Sequence, residues 1–464
     1  MQTRTGVRSE RVAAMQAREL ARFAAGHARS ASLRERAKAS MPRGVPMSWM
    51  ESLYEYPPVF AETGAGSRFR DVDGHEYLDM YLGDMSGFCG HAPVPVVEAV
   101  GRRMAEGNHF LLPGEDAIVV AEHLAERYRL PQWQFTLSAT QANTEVIRIA
   151  RQLTGREVVL MFDGKYHGHG DPTLVVLEGD RTVPELQGLP GSVTGQARLV
   201  QFNDVAGLEA ALAPRDVALV LTEPVMTNVG IIEPAPGFHA ALRELTRAAG
   251  TFLALDETHS LVGAYGGMAG EFGLATDFLT VGKAIAAGVP LGAYGMTEEV
   301  AARSLPAGGH QLAMGDAFAE IATGGTLFAN ALAMAAGRAA LTEVLTPQAF
   351  DRARELGTRM ADGVREAVAA SSLPWNVAQM GTHAYYGFAP VPARNGAEAR
   401  VNDDPDLRAL MRLWMVNRGV WESGWWLGPT VSVAHDEADV DEYVAKFGEL
   451  LDELTHPQRE NTTP

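Results

Sequence analysis

Between residues 85 and 340 the chain alternates segments of helical length with short apolar runs, at 134–137, 158–162, 217–221, 252–255, 278–281 and 291–295. Buried runs separated by helices predict a mostly parallel sheet covered on both faces, an α/β fold. Upstream, Val12, Met15, Leu20 and Phe23 recur near helical spacing and predict one leading helix, followed by a Pro/Gly-containing stretch at 41–46. Beyond 340 the pattern changes to a long helix over 349–370, a strand-like segment at 381–388 and a polar loop over 390–405. With the residues before 85, these predict a second, smaller α+β domain. The expected organisation is a helical arm (1–40), a large α/β domain (86–339), a small domain built from 41–85 and 340–455, and a disordered polar tail (456–464).

A chain of 464 residues, 46% hydrophobic and 21% charged, is long enough for a large core and for up to three domains. Its formal net charge of −18 repels a phosphate backbone, which argues against general nucleic-acid binding. The single cysteine, Cys89, cannot close an intrachain disulfide, so a reducing, cytoplasmic setting is expected. The longest apolar runs fall far short of the ~20 residues of a membrane span. The first forty residues are rich in Arg and Ala, as transit peptides are, yet Glu10, Glu19 and Glu35 interrupt that pattern and favour a plain amphipathic helix. Only four lysines occur, Lys38, Lys165, Lys283 and Lys446, so one in an apolar setting stands out.

Four segments could carry chemistry. Asp256-Glu257 ends an apolar run, where open α/β sheets place their ligands, although Asp256 could equally cap a helix. Lys283 follows another such run and precedes the uncharged residues 284–287. A lysine in apolar surroundings loses its proton more readily and becomes a nucleophile, and the alternative is a snorkelling side chain. Ser138-Ala139-Thr140-Gln141-Ala142-Asn143 lies between a strand and a helix, where free N–H groups can hold a phosphate or where Ser138 simply caps. The loop 163–171 is polar and glycine-rich. Its His167, His169 and Asp171 could bind a metal, while Tyr166 offers a ring for stacking on a cofactor; the expectation is no metal.

A Schiff-base lysine, an acid for a pyridinium nitrogen and a phosphate cradle are what pyridoxal phosphate needs. The sequence resembles the fold-type-one, class III aminotransferases, and within them the glutamate-1-semialdehyde aminomutases and β-amino acid aminotransferases, over roughly residues 41–450. The resemblance is carried, in family order, by residues 138–143 (similar to Ser-Gly-Thr-Glu-Ala-Asn), Tyr166-His167-Gly168-His169, Glu223-Pro224-Val225 with Asn228, Asp256-Glu257, Gly282-Lys283, Gly325-Thr326-Leu327 with Asn330, and 432–443. It implies a large cofactor-binding domain with a mostly parallel seven-stranded sheet flanked by helices, plus a smaller α+β domain. It implies that Lys283 forms the Schiff base and shuttles a proton, and that Asp256 pairs with the ring nitrogen. Ser138, Ala139 and Thr140 would hold the phosphate, Tyr166 would stack on the ring, Thr258 would lie beneath it beside His259, and Glu223 and Asn228 would approach the phenolic oxygen. Gly325 and Thr326 would reach the neighbouring subunit's phosphate, which implies a homodimer with shared sites.

Departures from the family bear on substrate. Ala139 and Gln141 replace the usual Gly and Glu, a change that is tolerable if the backbone keeps negative φ. After Asp256-Glu257 the family's Val-Met-Thr-Gly-Phe-Arg becomes Thr258-His259-Ser260-Leu261-Val262-Gly263. The family's carboxylate-binding arginines align with Met47, Met50 and Trp426, which favours an apolar amine in a pocket bearing Trp49, Trp425 and Trp426. A shift of one or two residues in that alignment would instead assign the carboxylate to Arg43 or Arg394 and the tryptophans to the core. The expected activity is ping-pong transfer of an amino group from an amine or non-α amino acid to a keto acid. An aminomutase is the nearest alternative, and a non-catalytic metal-binding protein is the alternative of another class.

Overall fold

The computed structural model describes residues 4–304, 323–422 and 427–456. Seven strands form the central sheet: β1 (Gln132–Thr136), β2 (Val158–Phe162), β3 (Ala197–Val200), β4 (Val217–Thr222), β5 (Phe252–Asp256), β6 (Phe278–Val281) and β7 (Gly292–Met296), in the spatial order β1-β7-β6-β5-β4-β2-β3. β7 runs antiparallel to both neighbours, and the remaining pairings are parallel. β2 and β4 are buried at every position, which is why they read as unbroken apolar runs. β3 is an edge strand whose burial alternates, with Arg198 held by Asp216 at 2.8 Å. Its sequence, Ala-Arg-Leu-Val, carries no apolar run and was not expected as a strand.

The sheet brings distant sequence to one edge. β5 and β6 are parallel with Asp256 opposite Thr280, so the carboxyl end of β5 carries Asp256 and Lys283 follows two residues past the end of β6. β1 ends beside them and feeds the helix Ala139–Thr154, capped by Ser138. Gly292, where β7 begins, passes so close to the Ser138 carbonyl that any Cβ would collide with it.

A second core joins Val12 and Met15 to the helices Pro347–Ser371, Pro405–Val416 and Glu437–Thr455 and to the antiparallel hairpin Asn376–Met380/His383–Gly387. Three expectations change here. The leading helix is two, Ser9–Gly26 and Ala28–Ala37, broken at His27, whose ring bonds the Phe23 carbonyl at 2.7 Å and the Tyr77 hydroxyl at 2.9 Å. The segment expected as a polar loop contains the helix Gly396–Asn402, started by Asn395 accepting from the Glu398 N–H at 2.9 Å. The strand near 381–388 has a partner strand, Asn376–Met380, that pattern alone did not reveal. Among the described residues no helix is long and apolar enough to cross a membrane.

Candidate active site

A cavity of about 300 Å³ opens at the carboxyl edge of the sheet. Ser138, Ala139, Thr140, Tyr166, Glu223, Asn228, Asp256, Thr258, His259, Lys283 and Trp49 all line it. Gly325 and Thr326 are exposed and lie outside it. Trp425 and Trp426 fall outside the described residues.

Asp256 is buried at the centre of a donor set. Its Oδ2 accepts from Asn143 Nδ2 at 2.8 Å and faces His167 Nδ1 at 2.9 Å. Its Oδ1 accepts from the Thr258 N–H at 3.0 Å and the Thr258 hydroxyl at 2.5 Å. Burial alone would raise its pKa. The hydrogen bond and charge of His167, with Thr258 and Asn143, outweigh burial and hold it at about 2. Asp256 therefore stays ionised in a dry setting. Glu257 faces the opposite way and bonds Ser260 and the Met268 N–H, as alternation along a strand requires.

Ala139 and Thr140 supply the first N–H groups of their helix, which have no partner within the helix and stand at its positive end. Ala139 has helical backbone with negative φ, so an alanine in place of the family's glycine carries no left-handed strain. Gly168 packs against Thr140 so closely that a Cβ there would collide with the threonine hydroxyl. The Tyr166 ring lies 6.3 Å from that of Trp49 at an interplanar angle of 23°, and burial pushes its phenol up to about 12.

Glu223 accepts from the Thr227 N–H and from Asn228 Nδ2, both at 3.0 Å, and also from the Thr227 hydroxyl. Burial, reinforced by the charge of Asp256, pushes it up to about 8 against the opposing pull of these donors. His259 Nδ1 meets the Thr227 hydroxyl at 2.8 Å, and His259 Nε2 meets Lys283 Nζ. Burial, then the charge of Lys283, lowers the His259 pKa.

Lys283 Nζ also pairs with Asp84 Oδ2. The expectation of apolar surroundings for this lysine is thus corrected: its amine lies between a carboxylate and an imidazole. Asp84 is 199 residues away in sequence and no local pattern links the two. Asn143, His167 and Thr227 were likewise missed as partners, although the first two stand inside motifs that the sequence singles out.

His167 turns to Asp256 and does not converge with His169 and Asp171. Among the described residues the group compact enough for a metal ion is His27, Asp71 and His75, outside the cavity. Neither alternative arginine reaches the cavity either. Arg43 pairs with Glu51 at 3.2 Å, and Arg394 pairs with Glu398 on the surface. Met47 and Met50 are exposed and do not line it.

The donor set suits pyridoxal phosphate: a buried carboxylate kept ionised for a ring N–H, a helix amino terminus for the phosphate, and a primary amine in the same cavity. The comparisons with known proteins agree. Residues 50–395 match the family model for class-III aminotransferases. A glutamate-1-semialdehyde 2,1-aminomutase of Anaeromyxobacter sp. (strain Fw109-5) is 34% identical over 400 residues, 83% of this chain and 89% of that protein. The crystal structure of a glutamate-1-semialdehyde aminomutase from Pseudomonas aeruginosa PAO1 superposes with a TM-score of 0.91 at 38% identity, covering 97% of this chain and all of that one, and a lysine-to-alanine variant of it was solved in complex with PMP. An omega-transaminase from Sphaerobacter thermophilus has a TM-score of 0.84 at 32% identity, covering 92% of this chain and 97% of its own. On sequence, fold and site chemistry together, this chain belongs to the class III aminotransferases, a family of pyridoxal-phosphate-dependent enzymes.

Proposed function

We propose that the protein transfers an amino group from an amine or non-α amino acid to a keto acid in a ping-pong cycle. The observation that carries this reading is the charge of the cavity. Lys283 is the only lysine or arginine among the described residues lining it, and residues 305–322 and 423–426 contain neither type. Within this reading the cavity favours an amine over a non-α amino acid as donor, because a donor carboxylate, α or distal, would meet no arginine fork from this chain. The aminomutase reading is favoured instead by the 34% and 38% identity of the relatives above.

The cofactor supplies an aldehyde that exchanges amines and a ring that accepts electron density from the substrate carbon. In this proposal Lys283 would hold the cofactor through its amine, condensing with the aldehyde with loss of water, and would afterwards carry the proton at the substrate carbon. Asp256 holds the ring-nitrogen proton, Ser138 orients the turn whose Ala139 and Thr140 N–H groups take the phosphate, and Tyr166 covers the ring. Thr258 and His259 support the opposite side, and Glu223 with Asn228 faces the phenolic oxygen. A panel of amino donors followed by half-reaction spectroscopy separates the two readings. An amine donor should convert the cofactor to its aminated form with release of a free carbonyl product, which a keto acid then reverses. Turnover of a single amino-aldehyde substrate with no donor active alone would establish the aminomutase.

We further propose a homodimer with shared sites, in a cytoplasmic setting that the buried free Cys89 suits, and the domain division 1–40, 41–85 with 340–455, and 86–339. Thr326 adjoins an apolar surface. Phe110, Leu111, Leu112 and Leu327 are all exposed, and Asn108 accepts hydrogen bonds from Ala331 and Leu332, which ties the two segments together. If Gly325-Thr326 completes the partner's phosphate site, Thr326→Ala should weaken cofactor retention by about 1 kcal/mol, the scale of one hydrogen bond. Mixing Lys283→Ala with Thr326→Trp should restore part of the activity, because one site of the heterodimer receives both lesions and the other none. No recovery after confirmed subunit exchange would count against the shared site.

A further inference from the structure

Asp84 sits on a backbone built at a cost. Leu82, Gly83, Asp84 and Met85 have φ of 57°, 53°, 62° and 64°, four successive left-handed residues of which only one is glycine. Left-handed backbone is unfavourable for Leu82 and Met85, whose Cβ crowds the following carbonyl, while glycine and aspartate tolerate it better. The turn is held on both sides. Asp79 Oδ1 accepts from the Tyr81 and Leu82 N–H groups at 3.1 and 2.7 Å, the Leu82 carbonyl accepts from the Gly87 N–H at 2.7 Å, and the Leu82 and Met85 side chains are buried in the main core. Its outcome is that one carboxylate projects into the cavity. Lys283, which it meets, is itself left-handed at φ 50°. Sparsely populated backbone held by its surroundings on both sides of a contact marks a contact with a task.

The three acids of the cavity differ in their partners. Asp256 has Asn143, His167 and Thr258, and Glu223 has Thr227 and Asn228. Asp84 has Lys283 and, at 3.6 Å, His259. With Lys283 as an ammonium, which only donates, His259 Nε2 must accept from it, so the ring proton sits on Nδ1 and points to Thr227. A His259 in that form offers Asp84 no proton. When Lys283 is engaged elsewhere, the partner left to Asp84 among the described residues is His259 at 3.6 Å, beyond hydrogen-bond reach, and its surroundings fit a primary ammonium.

We infer that Asp84 is an ammonium dock: it holds the Lys283 amine whenever that amine is free, and the amine of the incoming donor when Lys283 is engaged. The donor arrives in water as an ammonium, so a carboxylate beside the lysine it must replace binds and orients it with a charge-assisted hydrogen bond. The role for the donor rests on the transaminase reading above; the dock itself does not.

The test uses the full-length chain and no turnover. Lys283→Ala removes three methylenes and an ammonium, the atoms of n-propylammonium, which serves as the probe in calorimetry. Propylammonium should bind Lys283→Ala in the millimolar range and at least about tenfold more weakly to Lys283→Ala/Asp84→Asn, while propanol and propionate bind neither. Lys283→Ala/Asp84→Ser is the second variant should the first melt early. Equal affinity with and without the Asp84 carboxylate, no binding to Lys283→Ala, or preference for propionate would overturn the dock. A protein that docks propylammonium yet fails with every amine donor keeps the dock and loses the transaminase reading.

Discussion

Replacing Lys283 with alanine is expected to reduce turnover by at least about 10³-fold, the scale of losing a positioned acid–base group, and to leave the fold intact. The loss follows from position. Among the described residues lining the cavity Lys283 is the only primary amine, and it shares that cavity with Asp256 and with the Ala139–Thr140 helix terminus. The fold should survive because the side chain bonds only Asp84 and His259, both in the cavity. Alanine suffers the same left-handed penalty at φ 50° that lysine does, so the backbone gains or loses little. Circular dichroism should match the parent, with melting lowered only as far as the loss of the Asp84 ion pair requires. Substantial turnover in this variant would remove the lysine from the reaction.

Asp256→Asn is expected to cost roughly 10²–10³ in turnover, the effect of deleting one preorganised charge at a reacting centre, while cofactor still binds through Lys283 and the phosphate cradle. An aspartate at this point receives donors on both oxygens: Asn143 and His167 on one, the Thr258 N–H and hydroxyl on the other. An asparagine has one acceptor oxygen and turns an NH₂ toward one of those donor pairs. It therefore loses the negative charge and also disturbs the cluster that holds it. The measurement is the rate of the donor half-reaction with the cofactor content of the variant determined in parallel. Near-normal rates at full occupancy would refute the role given to Asp256.

How much of this was legible in the sequence depends on where each residue sits. β2 and β4 announce themselves because both of their faces are buried, and Asp256 and Lys283 stand out because each follows such a run. Edge strand β3 does not, since Arg198 interrupts its apolar pattern. The helix Gly396–Asn402 hides in a polar segment because its exposed surface, with Val401 largely in solvent, reads as loop. The break at His27 depends on hydrogen bonds to Phe23 and, fifty residues on, Tyr77. Asp84 is the clearest case. Left-handed backbone at Leu82 and Met85 is unfavourable for both residue types, so no local preference could predict the turn that delivers the carboxylate to Lys283.

The most direct test of the account is to treat the wild-type protein, purified with its cofactor, with borohydride, which makes a lysine–cofactor link permanent, and to map the labelled peptide. The expected results are a visible absorbance band that borohydride abolishes and a pyridoxyl group on Lys283. The other three lysines are engaged elsewhere: Lys38 with Glu35, Lys165 with the Val175 carbonyl, and Lys446 with Glu442. A label on Lys38, Lys165 or Lys446, or a protein saturated with cofactor that acquires no label, would contradict it.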